Sequence, residues 1–222
     1  MERPPKDSPY QLIVEGPDDL FFFGEFQTQL LKAGLIPDRA YITELGGKDQ
    51  TLELRKFLSG LIPRSKPVLG IGLIRDADHD PAATFTSVQS VLRQVDGLSV
   101  PTVIGKFKVD AARNLRVGVL IIPPDRPGIR ETVCLDALAE HPIGPCVDAF
   151  VDCVSETGSI PYFENKPDYF KDKGRLLAYL AAQEHTDYRI GIALARGFIP
   201  WDHTAFDSFV RFFQGLTAGR GV

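Results

Sequence analysis

The sequence predicts an α/β fold in which a mainly parallel sheet is flanked by helices and followed by a helical C-terminal portion. Three observations support this fold class. Apolar runs of strand length alternate with helix-like segments through roughly the first hundred residues, in the order β-α-β-α-β-α. The run at residues 68–74 is apolar on both faces, as a buried parallel strand is. From about Glu131 onward the pattern is helical only.

The first elements follow from apolar spacing and from the residues at their ends. Residues 10–14 form a short apolar run, which predicts the first strand. They come after a polar, proline-rich start over residues 1–9 that we expect to be flexible. A helix is predicted over residues 20–33, with Asp18 or Asp19 as its N-terminal cap.

The later elements alternate in the same way. Leucines and Phe57 recur at helical spacing in the second helix. Asp80-Pro81 is a typical helix start, with the aspartate as cap and the proline in the first turn. The predicted elements are, in order, strand 40–45, helix 48–61, strand 68–74, helix 81–95, strands 100–108 and 116–122, and helices 131–139, 146–156, 168–183 and 204–216.

Domain organisation follows from this pattern. Residues 10–125 are predicted to form the α/β core, and residues 126–222 a helical portion that packs on it, because no long linker separates the two. The 222 residues are 44% hydrophobic and 24% charged, which is the ordinary range for a globular protein.

Acidic residues follow two of the predicted strands at the points where those strands end. Glu15 follows the first strand, and Asp76, Asp78 and Asp80 follow the third. Because the C-terminal ends of neighbouring parallel strands open onto one crevice, we expect these carboxylates to meet. Carboxylates gathered there repel each other unless a cation joins them. The pattern therefore favours a Mg²⁺ or Mn²⁺ site for phosphoryl chemistry.

Each acid also has a purely structural interpretation. Glu15 fits an exposed strand end beside a glycine that suits a sharp turn. Asp76 and Asp78 are two residues apart, so in an extended chain both side chains project to one side. They could then share one metal ion, or hold two with Glu15, and their alternative is a solvated loop. For Asp80 the helix cap is favoured over metal ligation.

Other sites built on an Asp-x-Asp pair fit this sequence less well. In haloacid-dehalogenase-type phosphatases the pair follows the first strand, whereas here it follows the third. A glycosyltransferase would need a nucleotide-sugar domain, which the sequence does not indicate. The acid pocket of a response regulator is a closer competitor. It needs a Thr and then a Lys at later strand ends, and these have no clear counterpart here.

Glu15-Gly16 after the first strand and the run from Asp76 to Asp80 after the third resemble the motifs of the TOPRIM domain. That domain is shared by topoisomerases, bacterial primases, certain ribonucleases and the OLD (overcoming lysogenization defect) nucleases. The resemblance covers roughly residues 10–122, and the whole chain is similar to a family of small bacterial Toprim-like proteins related to OLD-type nucleases. It implies a Toprim-like, Rossmann-like fold and nuclease-type, Mg²⁺- or Mn²⁺-dependent cleavage of phosphodiester bonds in DNA or RNA.

The resemblance also implies roles for the acids. Glu15 would bind metal or act as a general acid/base, and Asp76 and Asp78 would hold Mg²⁺ or Mn²⁺. In OLD-type nucleases a second acid lies four residues after the Glu, where this chain has Asp19, and a later Glu near a helix start corresponds to Glu131. A favourable interaction with a helix dipole is the alternative for these last two. The metal-ligand candidates are Glu15, Asp19, Asp76, Asp78, Asp80 and Glu131.

Departures from these families favour an alternative function. OLD proteins carry an ATPase domain, but this chain has no G-x-x-x-x-G-K-[ST] loop. Gly46-Gly47-Lys48 is too short to be one, and Lys48 is instead a candidate phosphate contact. Topoisomerases and primases need further domains, for which there is no room. The missing loop, the net charge of −4 and the pI near 5.6 favour a non-catalytic or partner-dependent binding or effector module that works with a separate ATPase.

Basic residues are candidates for contacts with nucleic acid, whose phosphates they would neutralise. Lys106 and Lys108 form one local group, and Lys171 and Lys173 form another. The second pair could also stabilise the charge that develops on phosphate in the transition state, so both are catalytic candidates. A solvated face explains either group without a ligand.

The aromatic runs are predicted to pack in the core rather than to stack on bases, because base stacking requires exposure. They are Phe21-Phe22-Phe23 with Phe26, and the four phenylalanines of the last predicted helix.

Cysteine usage and hydropathy indicate the compartment. The three cysteines, Cys134, Cys146 and Cys153, have no C-x-x-C spacing and are predicted to be free, buried thiols in a reducing cytoplasm. No segment reaches the roughly 20 apolar residues of a membrane span, and no secretory signal is recognisable. The predicted location is therefore the cytoplasm, without a membrane partner, and a homodimer is compatible with the sequence.

Overall fold

A computed structural model describes residues 5–46, 50–61, 67–157, 168–184 and 189–219 of the chain. The strands it contains in these ranges are β1 (Tyr10–Val14), β2 (Tyr41–Glu44), β3 (Gly70–Asp76), β4 (Phe107–Asp110) and β5 (Leu115–Ile122). The α-helices are α1 (Pro17–Lys32), α2 (Gln50–Leu61), α3 (Pro81–Leu92), α4 (Arg130–Asp136), α5 (Gly144–Glu156), α6 (Tyr169–Ala181), α7 (Ile190–Ala195) and α8 (Asp207–Thr217), with a 3₁₀ turn over Thr204–Phe206 before the last.

The five strands form one sheet in the order β2-β1-β3-β5-β4. The first four are parallel, and β4 pairs with β5 in the antiparallel direction. From β1 the chain goes first to β2 on one side and then crosses to β3 on the other, so the strand order reverses between β1 and β3. In doubly wound sheets the ligand crevice opens at this point, beyond the C-terminal strand ends. The predicted α/β fold with a mainly parallel sheet is confirmed.

Each face of the sheet is covered by its own apolar layer. Strand side chains alternate between the faces, so Ile13 and Leu73 pack with helices α2 and α3. Val14 and Ile74 point the other way and pack with α1, α4 and the C-terminal helices. The side chains of seven phenylalanines in this second layer are fully buried, as predicted from the aromatic runs: Phe22, Phe23, Phe26, Phe206, Phe209, Phe212 and Phe213. Phe21, by contrast, is 46% exposed.

Helix α8 packs directly on the sheet because two strand positions lack a side chain. A Cβ atom at Gly70 would lie 2.5 Å from the carbonyl oxygen of Leu216, and one at Gly72 would lie 3.1 Å from Cε1 of Phe212. These close approaches let the helix rest against β3. The helices that follow the sheet in sequence therefore share its core.

Several predicted boundaries are wrong, each for a local reason. Strand β3 runs to Asp76 rather than ending at residue 74, because its last two residues still pair with β5. The predicted strand at 100–108 is reduced to β4, since Pro101 lacks an N–H and Gly105 has a φ of +73°. Helix α7 was not predicted from the sequence. Helix α1 starts at Pro17 with Gly16 as its cap, and not with an aspartate.

Two further expectations can be compared with the described residues. Cys134 is buried, but Cys146 and Cys153 are exposed, so the thiols are free as predicted while the prediction of burial is wrong for two of them. Among the residues that the structure describes, no helix has both the length and the apolar character needed to cross a bilayer.

Candidate functional site

Glu15 lies at the C-terminal end of β1, opposite Arg75 of β3. The parallel register pairs Ile13 with Leu73, so two residues further the carboxylate and the guanidinium are neighbours. Nη1 of Arg75 lies 3.2 Å from Oε1 of Glu15. Both residues line a cavity of about 170 Å³ between the sheet and helices α2 and α3. Burial raises the pKa of Glu15, Arg75 lowers it, and the charge of Asp19 raises it again, with a net upward shift.

Asp76 ends β3 on the opposite face of the sheet, two residues after Ile74. Its Oδ1 atom accepts a hydrogen bond of 2.9 Å from the backbone N–H of Arg130. Burial, followed by the charges of Asp19, Glu15 and Glu131, raises the pKa of Asp76 well above its usual value. Within the described residues Asp76 takes part in no ion pair. The charge of Asp76 is compensated only in part, by the nearby charge of Arg130 and by the hydrogen bond from its backbone N–H.

Asp19 is in the first turn of α1, which places it over the same crevice. Its Oδ2 atom accepts a hydrogen bond of 3.2 Å from the backbone N–H of Gly16, and its Oδ1 atom pairs with the guanidinium of Arg130. Burial raises the pKa of Asp19, although the Arg130 charge and the Gly16 hydrogen bond lower it. Asp19 was a candidate for the N-terminal cap of α1. In the structure it is the third residue of the helix, and its side chain accepts a hydrogen bond from the actual cap, Gly16.

Arg130 and Glu131 open helix α4 and are both buried. Nη2 of Arg130 lies 3.2 Å from Oε1 of Glu131, and its guanidinium carbon lies 5.4 Å from the centre of the Phe22 ring. Burial alone would lower the pKa of Arg130, but the charges of Glu131 and Asp19 raise it overall. Its Nε atom is buried and has no hydrogen-bond partner in the described part of the chain.

Asp78 is exposed and does not continue the strand. Its φ is +50°, and its backbone N–H and C=O each form a 2.9 Å hydrogen bond with Gly128. The expectation that Asp76 and Asp78 project to the same side of an extended chain is therefore wrong. The charge of Asp78 still contributes to the raised pKa of Glu15, so the two acids lie within electrostatic reach.

Asp80 caps helix α3, the interpretation favoured from the sequence. Its Oδ1 atom accepts hydrogen bonds from the backbone N–H groups of Ala82 and Ala83, at 2.8 and 3.1 Å. This carboxylate therefore has a structural task that needs no metal ion.

The lysines that were predicted to contact phosphate do not all lie next to the acidic residues of the site. Lys171 pairs with Asp168 at 3.3 Å, and Lys173 is exposed. Within the described residues, neither pairs with a carboxylate of the acidic cluster, which consists of Glu15, Asp19, Asp76, Asp78 and Glu131. Lys106 and Lys108 are exposed beside and on the edge strand β4, two strands away from β3. Lys48 lies outside the described residues.

Sequence reasoning missed both arginines of the site. Arg75 had a signal, because an arginine inside an apolar strand requires a buried carboxylate partner. Arg130 had a weaker one, since a cation in the first turn of a helix opposes the helix dipole. Tyr169, at the start of α6, was also missed. Burial raises the pKa of Tyr169, and the charges of Asp78 and Asp76 raise it further.

The donor types suit a hard cation, but the oxygens are not gathered around one point. Every acid of the cluster offers carboxylate oxygens, the ligands that Mg²⁺ and Mn²⁺ prefer. Among the described residues, however, no group of three potential ligands has metal-binding spacing. Arg75 and Arg130 also pair with Glu15 and Asp19. The carboxylate oxygens of the cluster therefore suit a metal ion. Two of the candidate ligands, Glu15 and Asp19, form ion pairs with arginines.

Comparisons with known proteins add a family but no activity. Residues 9–218 match the model of a family described as "Protein of unknown function (DUF3226)". The searches of curated proteins and of solved structures gave no significant match.

Proposed function

The chain belongs to the DUF3226 family, and from the geometry of its acidic edge we propose that it is a metal-dependent phosphodiesterase of the nuclease type. The substrate would be DNA or RNA. The cofactor would be Mg²⁺ or Mn²⁺, held by Glu15, Asp76 and Asp78.

One observation carries this proposal. Acids from the ends of β1 and β3 and from the starts of α1 and α4 lie close enough at one crevice to raise each other's pKa. Such mutual repulsion is costly to the fold, and a site of this kind is typically retained for chemistry or for ligand binding. The TOPRIM resemblance of Glu15 and of the run beginning at Asp76 gives the same function.

The protein groups of the proposed site have distinct tasks. The bound ion would neutralise the scissile phosphate and activate water. Arg75 would orient Glu15, through the pair at 3.2 Å. The backbone N–H of Arg130 would fix the orientation of Asp76, while its guanidinium holds Asp19.

The test is a cleavage assay on single-stranded and double-stranded DNA and RNA with Mg²⁺ or Mn²⁺. We expect the wild-type chain to cleave at least one of these substrates, and the Glu15→Gln and Asp76→Asn variants to be reduced to background. Glu140→Gln is the matched control, because Glu140 is an exposed carboxylate outside the acidic cluster. Equal activity in all four proteins would remove the proposal.

A second candidate function is favoured by the ion pairs. Glu15 and Asp19 are each paired with an arginine, so this edge can be stable without a metal ion. A non-catalytic or partner-dependent module, working with a separate ATPase, would have such a site. In that case the pure chain would be inert on every substrate, and activity would require a protein that co-purifies with it. Cleavage by the pure chain would exclude this candidate.

A further inference from the structure

A second cavity lies beside the acidic cluster, and none of the roles proposed above uses it. Its volume is about 420 Å³, within the range of small-ligand pockets. Three segments line it: the loop after β3, the end of the β5–α4 loop with the start of α4, and the first half of α6. The lining includes two acids, Asp168 and Asp172, together with His79, Pro127, Thr132, Tyr169 and Arg175.

The cavity adjoins the acids through the chain itself. His79 directly follows Asp78, and Thr132 directly follows Glu131. The charges of Asp78 and Asp76 also raise the pKa of Tyr169 in the cavity wall, so the cavity lies beside the place where the scissile phosphate is proposed to bind.

One wall of the cavity is aromatic. The rings of His79 and Tyr169 meet edge to face, with centroids 5.5 Å apart and planes at 74°. The ring of Phe170 stacks on the ring of Tyr169, with their centroids 5.1 Å apart. His79 is exposed, so its ring is accessible to a planar ligand.

The polar side of the cavity is held in a fixed arrangement. Oγ1 of Thr132 donates a 2.6 Å hydrogen bond to Oδ2 of Asp172, and it accepts one of 3.1 Å from the backbone N–H of Ile129. Nη1 of Arg175 donates to Oδ1 of Asp172 at 3.3 Å. A planar heterocycle could therefore stack at one side and hydrogen-bond at the other.

We infer that this cavity receives one unstacked nucleobase of single-stranded nucleic acid, next to the phosphate held at the carboxylates. The inference rests on the proposed function, and it names the substrate class of that site. A base within a duplex is paired and stacked, so it can enter this cavity only after it is flipped out. A base of a single strand enters without that cost, and stacking on an aromatic ring favours it whatever its sequence.

The experiment measures binding rather than cleavage. Fluorescein-labelled twelve-nucleotide strands are titrated with the full chain in Ca²⁺, which takes oxygen ligands as Mg²⁺ does. Fluorescence anisotropy compares a single strand, the corresponding duplex, and a strand of the same length whose nucleotides are abasic. We expect the single strand to bind about ten times more tightly than either of the others, as the loss of one stacked base predicts.

Variants of His79 locate the effect in the cavity. His79→Ala is expected to weaken binding of the single strand about tenfold and to leave binding of the abasic strand unchanged. His79→Phe, which retains a ring, is expected to restore most of the affinity. Phe150→Ala is the matched control, because Phe150 is 57% exposed on α5 and does not line the cavity. Thermal unfolding of each variant verifies that it is folded.

Two outcomes would overturn the inference: duplex binding as tight as single-strand binding, or no loss of affinity in His79→Ala. A failure of the proposed function gives a different pattern. Then no substrate is cleaved and Asp76→Asn binds metal as the wild type does, while the preference for single strands and its dependence on His79 remain.

Discussion

Among the acids of the site, Asp76 has the pKa that is raised furthest, first by burial and then by the charges of Asp19, Glu15 and Glu131. A carboxyl group whose pKa is raised by folding binds a proton more tightly in the folded than in the unfolded state. Stability then falls as the pH rises from the ordinary value of 3.8 through the raised pKa. Without a metal ion, Asp76 therefore destabilises the protein at neutral pH.

Asp76→Asn is predicted to stabilise the metal-free protein. The amide oxygen can still accept the hydrogen bond from the N–H of Arg130, but the repulsion with the other acids is removed. We expect a Tm about 2–4 °C higher at pH 7, which corresponds to about 1 kcal/mol in a chain of this size. The gain should shrink as the pH is lowered toward 4. A Tm lower than that of the wild type in EDTA at pH 7 would contradict this.

Arg130 pairs with two acids of this edge, Asp19 and Glu131, while Arg75 pairs with Glu15. Arg130 is almost fully buried between Asp19 and Glu131, and removing it leaves both without their partner. We expect Arg130→Met to lower the free energy of unfolding by about 3–5 kcal/mol, as the loss of one partner from a buried ion pair does. Urea denaturation measures this.

Arg126→Met provides the comparison for Arg130. Arg126 also pairs with a carboxylate, Asp136, but both side chains are more than 40% exposed. Because exposed pairs contribute little, we expect a change within about 1 kcal/mol. Equal losses in the two variants would show that Arg130 is not the counter-ion of the cluster.

Helix α8 packs closely against the sheet at β3. Gly70→Ala is predicted to destabilise the protein by about 1–3 kcal/mol, because the added Cβ meets the Leu216 carbonyl at 2.5 Å and the helix must move. Gly60→Ala is the control in α2, where a Cβ meets nothing within 4 Å and a gain of up to about 1 kcal/mol is expected. An unchanged Gly70→Ala variant would show that α8 does not rest on β3.

The order of the strands and of most helices, α7 excepted, could be predicted from the sequence because apolar spacing is a local feature. The placement of Glu15 and Asp76 at one crevice followed, since parallel neighbours end at the same side of a sheet. The partners of these acids could not be predicted. Arg130 reaches Asp76 from 54 positions away, and only the packing of α4 against the sheet brings it there.

The conformation of Asp78 could not be predicted from the sequence either. Its spacing from Asp76 predicted a shared direction, but a pair of hydrogen bonds to Gly128 turns the backbone into a left-handed conformation. Gly128 belongs to the segment between β5 and α4, and no local signal in the sequence connects it to the acidic run. Long-range backbone pairing therefore decided the geometry of the motif.

At the scale of the whole molecule, the acidic edge joins the two faces of the sheet. Glu15 and Arg75 come from the face covered by α2 and α3, whereas Asp76, Asp19 and Arg130 come from the other face. The crevice at the switch point is where the two sets meet. A ligand bound there would contact both layers, so metal binding should stabilise the fold as a unit.

The net charge of −4 opposes the binding of nucleic acid, which is also negatively charged. A chain of this charge does not attract a polyanion by its overall field, so the affinity has to come from local contacts and from a bound cation. Binding without a divalent ion should therefore be weak.

Binding of Mn²⁺ tests the central claim most directly. Isothermal titration of the wild-type chain should give saturable binding, which Asp76→Asn and Glu15→Gln abolish. Asp80→Asn should bind as the wild type does, because asparagine caps a helix as well as aspartate and Asp80 is not needed as a ligand. Absence of Mn²⁺ binding in the wild type, or equal binding in Asp76→Asn, would contradict the account.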